Sequence, residues 1–166
     1  SAGSEGCYQF WGLSAHGHVK DIAVTTPTAG FVDIYVQSHI DDIAVQSLLD
    51  LVDQNLTPST RRPFTDKVIV KAATPIEWTL NASLVLFPGP DAEVVKQAAE
   101  TALAEYINIT NSLGYDVTRS GLFRALHQGG VQNVIINNPP NDIVIAKSNY
   151  AKNIGFEINI TEFRDV

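Results

Sequence analysis

Residues 78–86 read Trp-Thr-Leu-Asn-Ala-Ser-Leu-Val-Leu, and apolar side chains occupy every second position of this stretch. Because successive side chains of a β-strand point to opposite faces, the alternation predicts a long strand with one buried face. The next turn, Pro-Gly-Pro-Asp at 88–91, ends the strand, and Asp91 is placed to cap a helix that we predict to run to about Ser112. This pairing predicts a sheet with a helix packed across it.

The rest of the chain contains the same two kinds of element. Hydrophobic periodicity predicts further helices at 4–15, 42–56 and 118–128, and further strands at 19–25, 31–36, 67–72, 131–137, 143–146 and 155–161. Asp41 or Asp42 is placed to cap the helix at 42–56. We therefore predict an α+β fold of two small units, each with helices packed on a mostly antiparallel sheet. The dipeptide Thr74-Pro75 marks the boundary, which gives a first unit at 1–74 and a second at 75–166.

Composition excludes several classes of protein. Apolar residues make up 45% of the chain and charged residues 17%, a balance that is typical of a folded domain and not of disorder. The net charge of −7 repels phosphate backbones, and every apolar run is far too short to span a bilayer. We therefore expect neither nucleic acid nor a membrane as a partner. Cys7 is the only cysteine, which fits folding in a reducing cytoplasm, and the absence of methionine indicates a piece of a longer protein.

Motifs for catalysis or cofactor binding are missing. His16 and His18 could share a metal ion, but no Cys or Glu follows at a spacing that would complete a ligand set, so a polar turn is the better interpretation. There is no nucleophile elbow and no phosphate-binding glycine loop. We expect no catalytic residue, no metal, no cofactor and no enzymatic activity. The alternative that stays open is an α+β small-molecule-binding or enzyme domain of unknown substrate.

Several blocks of sequence occur in a fixed order along the chain. They are Ser-Ala-Gly-Ser-Glu at 1–5, Val-Lys-Asp-Ile-Ala-Val at 19–24, Arg-Pro-Phe-Thr-Asp-Lys-Val-Ile-Val at 62–70, Phe-Pro-Gly-Pro-Asp at 87–91, Leu-Gly-Tyr-Asp-Val-Thr-Arg-Ser-Gly-Leu at 113–122, Ala-Leu-His at 125–127, and Gly-Val-Gln-Asn-Val at 130–134. Taken together and in order, these blocks resemble the C-terminal half of baseplate J-like proteins from contractile-tailed phages. The resemblance extends from residue 1 to about 146, and it does not include residues 147–166. Near 37–42 the chain also lacks the glycine-rich stretch that the family would lead us to expect.

The resemblance implies a structural role and no catalytic residues. It implies a component of a contractile phage-tail, tailocin or prophage baseplate that assembles the wedge ring around the tail hub. The implied partners are other baseplate wedge proteins and copies of the chain itself, so a homo-oligomer is expected. The implied location is the tail baseplate of the virion, after synthesis in the bacterial cytoplasm.

Three arginines are the candidate interface residues. Arg61, Arg62 and Arg119 are scarce cations on an acidic chain, and arginine is favoured at protein contacts because its guanidinium pairs with carboxylates through two parallel hydrogen bonds. The competing interpretation is that they are solvated loop residues with no binding role.

Overall fold

The structure, a computed structural model, describes residues 5–58, 61 and 65–161. Along this part of the chain the helices are α1 (Glu5–Leu13), α2 (Gln46–Leu56), α3 (Ala92–Thr110) and α4 (Arg119–Leu126). The strands are β1 (Val19–Thr28), β2 (Phe31–Ser38), β3 (Lys67–Ala72), β4 (Thr74–Leu86), β5 (Val131–Asn138) and β6 (Asn149–Thr161). The predicted α+β class is confirmed. In the part of the chain that the structure describes, no helix is both long enough and apolar enough to cross a membrane.

The chain divides into two compact units. The first contains Ser1–Pro75 together with Ser112–Gly114 and Ile145–Tyr150, and the second contains Ile76–Asn111, Tyr115–Val144 and Ala151–Val166. The separation into domains at 1–74 and 75–166 stays a prediction.

The sheet of the first unit has the strand order β1-β2-β3. Strand β1 pairs antiparallel with β2, with Ile22 opposite Val36, whereas β3 pairs parallel with β2, with Val70 opposite Ile34. The sheet is therefore mixed, and the expectation of a mostly antiparallel sheet needs correction here. The reason is the connection: parallel neighbours require a crossover, and α2 supplies one between β2 and β3.

Each helix of the first unit has a buried face. In α1 the buried residues are Tyr8 and Gly12, whereas Phe10 is exposed. The cause is a close approach: a Cβ atom on Gly12 would lie 3.0 Å from Ile22 Cγ1, so the helix presents its smallest residue to the sheet. Helix α2 buries a stripe that continues this core, made of Leu48, Leu49, Val52 and Leu56.

The start of α2 also differs from the prediction. The helix begins at Gln46, and its N-cap residue is Val45, which makes no side-chain capping bond. Neither Asp41 nor Asp42 caps it, because the backbone turns at Ser38, whose hydroxyl accepts hydrogen bonds from the amides of Ile40 and Asp41. Residues 39–45 consequently form an ordered loop and not the first turn of a helix.

The sheet of the second unit has the strand order β5-β4-β6 and is also mixed. Leu84 of β4 lies opposite Val134 of the antiparallel strand β5. The predicted alternation is confirmed, since the apolar set of β4 is buried at every position: Trp78, Leu80, Ala82, Leu84 and Leu86. The carboxylate of Asp91 accepts a 2.9 Å hydrogen bond from the amide of Glu93, so the predicted cap of α3 is also confirmed.

Helices α3 and α4 lie against each other, and α4 contacts β5. Helix α3 buries Val95, Ala99 and Leu103. The strand predicted at 143–146 is wrong: Ile143 forms an isolated bridge with Val117, and the last strand begins earlier, at Asn149, than the predicted residue 155. The apolar run at 143–146 is too short to distinguish a strand from an extended loop.

Candidate interaction surface

Arg61 joins the segment after α2 to helix α1. Its Nη1 atom donates hydrogen bonds to the backbone oxygen of Asn55 at 2.7 Å and to Asn55 Oδ1 at 2.6 Å. Its guanidinium carbon lies 3.9 Å from the centroid of the Trp11 ring, which is cation–π distance. Asn55 in turn donates to the carbonyl of Trp11 at 2.6 Å. The guanidinium therefore makes a cation–π contact through one face and hydrogen bonds through one nitrogen, and both contacts lie within the chain.

Arg119, at the first position of α4, holds that helix to the end of β5. Its guanidinium donates to the carbonyl oxygens of Ile136 and Pro139, and its carbon lies 5.4 Å from the centroid of the Phe123 ring. Its amide donates to Asp142 Oδ1 at 2.7 Å. The side chain is half-buried, which is unlike a solvated loop arginine.

Arg62 lies outside the residues that the structure describes. Arg61 belongs to the first unit and Arg119 to the second. A role of Arg61, Arg62 and Arg119 at an interface stays a prediction. The geometry shows that Arg61 and Arg119 also make contacts within the chain. The scarcity of cations in the sequence gave no indication of these contacts.

We predict that Arg119→Ala lowers the free energy of unfolding by about 2 kcal/mol, because the carbonyls of Ile136 and Pro139 lose a charged donor. Urea denaturation followed by circular dichroism measures the change. Arg124→Ala is the matched control, since Arg124 is an exposed arginine of the same helix, and its expected cost is below about 0.5 kcal/mol. Equal stability of the two variants would contradict the internal role of Arg119.

His16 and His18 form a local turn. The Nδ1 atom of His16 accepts a 3.0 Å hydrogen bond from the amide of His18, and the two rings meet edge to face with centroids 4.5 Å apart. Among residues 5–58, 61 and 65–161, no group of three or more His, Cys, Asp or Glu side chains is placed to hold a metal ion. The absence of a bound metal in the protein stays a prediction.

The second unit contains an open groove between α3 and α4, which we call the α3–α4 groove. Its volume is about 380 Å³, and it is lined by Ala102, Glu105, Tyr106, Ile109, Tyr115, Gly121, Arg124, Ala125 and Gln128. The described lining contains no serine, cysteine or histidine, so it offers no nucleophile paired with an imidazole base. The lining combines aliphatic and aromatic side chains with the carboxylate of Glu105 and the guanidinium of Arg124.

Tyr106 and Gly121 form the floor of this groove. The amide of Thr118 donates to the Tyr106 hydroxyl at 2.9 Å, which fixes the ring against α4. A Cβ atom at position 121 would lie 2.6 Å from Tyr106 Cε2, so only glycine leaves room for the ring. The sequence analysis did not find this pair. The available signal was a glycine inside a helical pattern, which often indicates close packing.

The described residues thus form an α+β fold with two mixed three-stranded sheets. Comparison with known proteins shows which proteins the chain resembles. Residues 1–72 match the family model described as the Baseplate J-like central domain. The chain is also 41% identical over 145 residues to Baseplate protein J of Escherichia phage P2, an alignment that includes 87% of this chain and 48% of that protein. The resemblance to baseplate J-like proteins that the sequence blocks predicted is confirmed, and residues 1–72 match the family's central domain.

A solved structure shares the fold. The match is to a chain in the cryo-EM structure of the anti-feeding prophage baseplate, with a TM-score of 0.58 and 14% sequence identity, over 92% of this chain and 37% of that one. The chain thus spans about half the length of the curated relative it matches. Its place in the C-terminal half of such proteins stays a prediction.

Proposed function

We propose that this chain is a structural component of the baseplate of a contractile phage tail, or of a related tailocin or prophage particle. There it helps to assemble the wedge ring around the tail hub. The observation that carries the proposal is the 41% identity to Baseplate protein J of phage P2 over 87% of the chain. The proposal includes a non-enzymatic role, because the relatives are named as baseplate parts and not as enzymes.

The proposed partners are other baseplate wedge proteins and further copies of the chain, so the working state is a homo-oligomer in the tail baseplate of the virion. Synthesis takes place in the bacterial cytoplasm. Nucleic acid and membranes are not among the proposed partners, and the net charge of −7 supports the first of these exclusions. Two sheets with buried faces give rigid modules, which a ring of repeated subunits requires.

The test removes the gene for the full-length parent protein and scores tails by electron microscopy. We expect the deletion to yield no complete baseplates, and the wild-type gene supplied in trans to restore them. Complete baseplates in the deletion strain would contradict the proposal.

The arginine assignment requires a separate test in the same particles. If Arg61, Arg62 or Arg119 anchors an interface, its alanine variant lowers the yield of baseplates although the folded protein still accumulates. A variant that lowers yield only in proportion to lost stability has an internal role alone. Normal yield from all three variants would contradict the anchor assignment.

A further inference from the structure

The loop between β2 and α2 displays aliphatic side chains to solvent. We call residues 39–45 the isoleucine loop. Within it Ile40 is 63% exposed, Ile43 54% and Val45 48%, whereas Ala44 between them is buried. Clustered aliphatic side chains on a surface are typical of contact sites, and single scattered ones are not. Three within six residues make this loop a candidate contact.

Hydrogen bonds hold the backbone of the isoleucine loop from His39 to Asp42. The Ser38 hydroxyl accepts from the amides of Ile40 at 3.1 Å and Asp41 at 3.2 Å, and the amide of His39 donates to the carbonyl of His18 at 2.8 Å. The Tyr150 hydroxyl donates to the carbonyl of Asp42 at 2.6 Å.

Burial, reinforced by the Asp42 carboxylate, raises the pKa of Tyr150, so its hydroxyl keeps the proton that this bond needs. Because this part of the loop backbone is already fixed, binding would cost little further conformational entropy. Preorganisation of this kind favours affinity.

The α3–α4 groove is large enough to accept an aliphatic side chain of the isoleucine loop. Its volume of about 380 Å³ is roughly ten times the ~30 Å³ that one water molecule occupies in the liquid, so a branched aliphatic side chain fits in it. Ile109 and Tyr115 form exposed apolar walls. The bond between Tyr106 and Thr118 keeps the floor in place, so the groove exists before anything binds.

One pair of opposite charges is available to such a contact. Asp41 follows Ile40 directly in the isoleucine loop, and the groove lining contains the exposed Arg124 beside the single carboxylate of Glu105. Within the part of the chain that the structure describes, the Arg124 guanidinium forms no ion pair with a carboxylate. Two copies of net charge −7 repel each other at a distance, so a contact between copies gains from a local pair of opposite charges.

We propose that the isoleucine loop of one copy docks in the α3–α4 groove of a second copy, with Ile40 in the groove and Asp41 facing Arg124. The inference rests on the proposed function, since it assigns the contact between copies in the ring. The two surfaces are different patches of one chain, so the contact is heterologous. Heterologous contacts propagate from copy to copy and close into a ring when the rotation allows.

The test is cross-linking in purified baseplates that contain the full-length protein with Ile40→Cys and Ile109→Cys, in a background where Cys7 and any other cysteine of that protein are serine. A short bismaleimide is added, and products are separated under denaturing conditions. Because a heterologous contact links each copy to the next, we expect a ladder that extends beyond the dimer. An isologous contact would stop at the dimer, and a link within one chain would leave a monomer.

The matched control pairs Ile40→Cys with Val144→Cys, which is 79% exposed in the second unit and is not part of the groove lining. It should give monomers. Baseplates of normal appearance that yield only monomers and dimers from the Ile40/Ile109 pair would overturn the docking inference and leave the proposed function intact. Tails that lack the parent protein would instead overturn the proposed function.

A charge exchange provides an independent measurement on the 166-residue chain. Sedimentation velocity at high protein concentration should show that Arg124→Glu weakens self-association about tenfold, and that adding Asp41→Lys restores it. Asp50→Lys, an exposed acidic residue of α2, is the control for net charge and should give no restoration. Equal restoration by both second-site changes, or no loss in the single variant, counts against the docking geometry.

Discussion

Replacing Leu84 with alanine is expected to lower the free energy of unfolding by about 3 kcal/mol, the middle of the range for a leucine deleted from a packed core. Leu84 is fully buried, and it lies in the central strand of the second sheet opposite Val134. The loss combines the transfer free energy of the deleted methyl groups with the cost of the cavity, because flanking strands on both sides restrict collapse.

Leu51→Ala is the matched control, since the same atoms are removed from an exposed position on α2. Its expected cost is below about 1 kcal/mol, because little apolar area returns to water and alanine favours helix. Chemical denaturation of both variants measures the difference. Similar losses at the two positions would mean that β4 does not form the centre of the second core.

Replacing Gly121 with valine is expected to lower the free energy of unfolding by about 3 kcal/mol, near the upper end of the range for an overpacked core. At an ordinary helix position, replacing glycine with a larger residue raises the stability of the protein or lowers it only slightly. Here the new side chain would meet the ring of Tyr106, whose hydroxyl is fixed by the amide of Thr118. Relief of the clash would require the ring to leave its place, which breaks that bond and changes the floor of the α3–α4 groove.

The control is Gly129→Val, at an exposed position where an added Cβ atom meets nothing within 4 Å. We expect this variant to lower the free energy of unfolding by less than about 1 kcal/mol. The double variant Gly121→Val with Tyr106→Ala should be more stable than the sum of the two single changes predicts, because the smaller side chain makes room. Additive effects would contradict direct contact between the two positions.

The features that sequence predicts well here are those with a local physical cause. The alternation at 78–86 forces one face of β4 inward, and Asp91 caps α3 through a bond to an amide only two residues away. Both follow from a few consecutive residues, and both are confirmed. The resemblance to baseplate J-like proteins was also predictable, because blocks in a fixed order carry information that no single motif carries.

The features that sequence missed depend on tertiary contacts. The side of α1 that faces the sheet is chosen by the close approach of Gly12 to Ile22, which periodicity in the helix does not reveal. The start of α2 is set by Ser38, whose hydroxyl folds the preceding loop, and not by the two aspartates that follow. Strand direction in the first sheet follows from the α2 crossover, which an alternating pattern does not specify.

Candidate interaction residues illustrate the same limit. Arg61 and Arg119 are noticeable in sequence because cations are scarce, yet their partners are Trp11 and Asn55 in one case and two carbonyls beside β5 in the other. The isoleucine loop and the α3–α4 groove are each assembled from short segments. From the sequence alone, the apolar residues of both features would be predicted to lie in the core. Only the folded structure shows that they are exposed.

A cryo-EM reconstruction of purified tails, from the organism that encodes the chain, tests the proposed baseplate function directly. We expect multiple copies of the parent protein in the wedge ring around the tail hub, each with density for two three-stranded sheets in the orders β1-β2-β3 and β5-β4-β6. A complete, well-resolved baseplate in which no density fits this fold would contradict it.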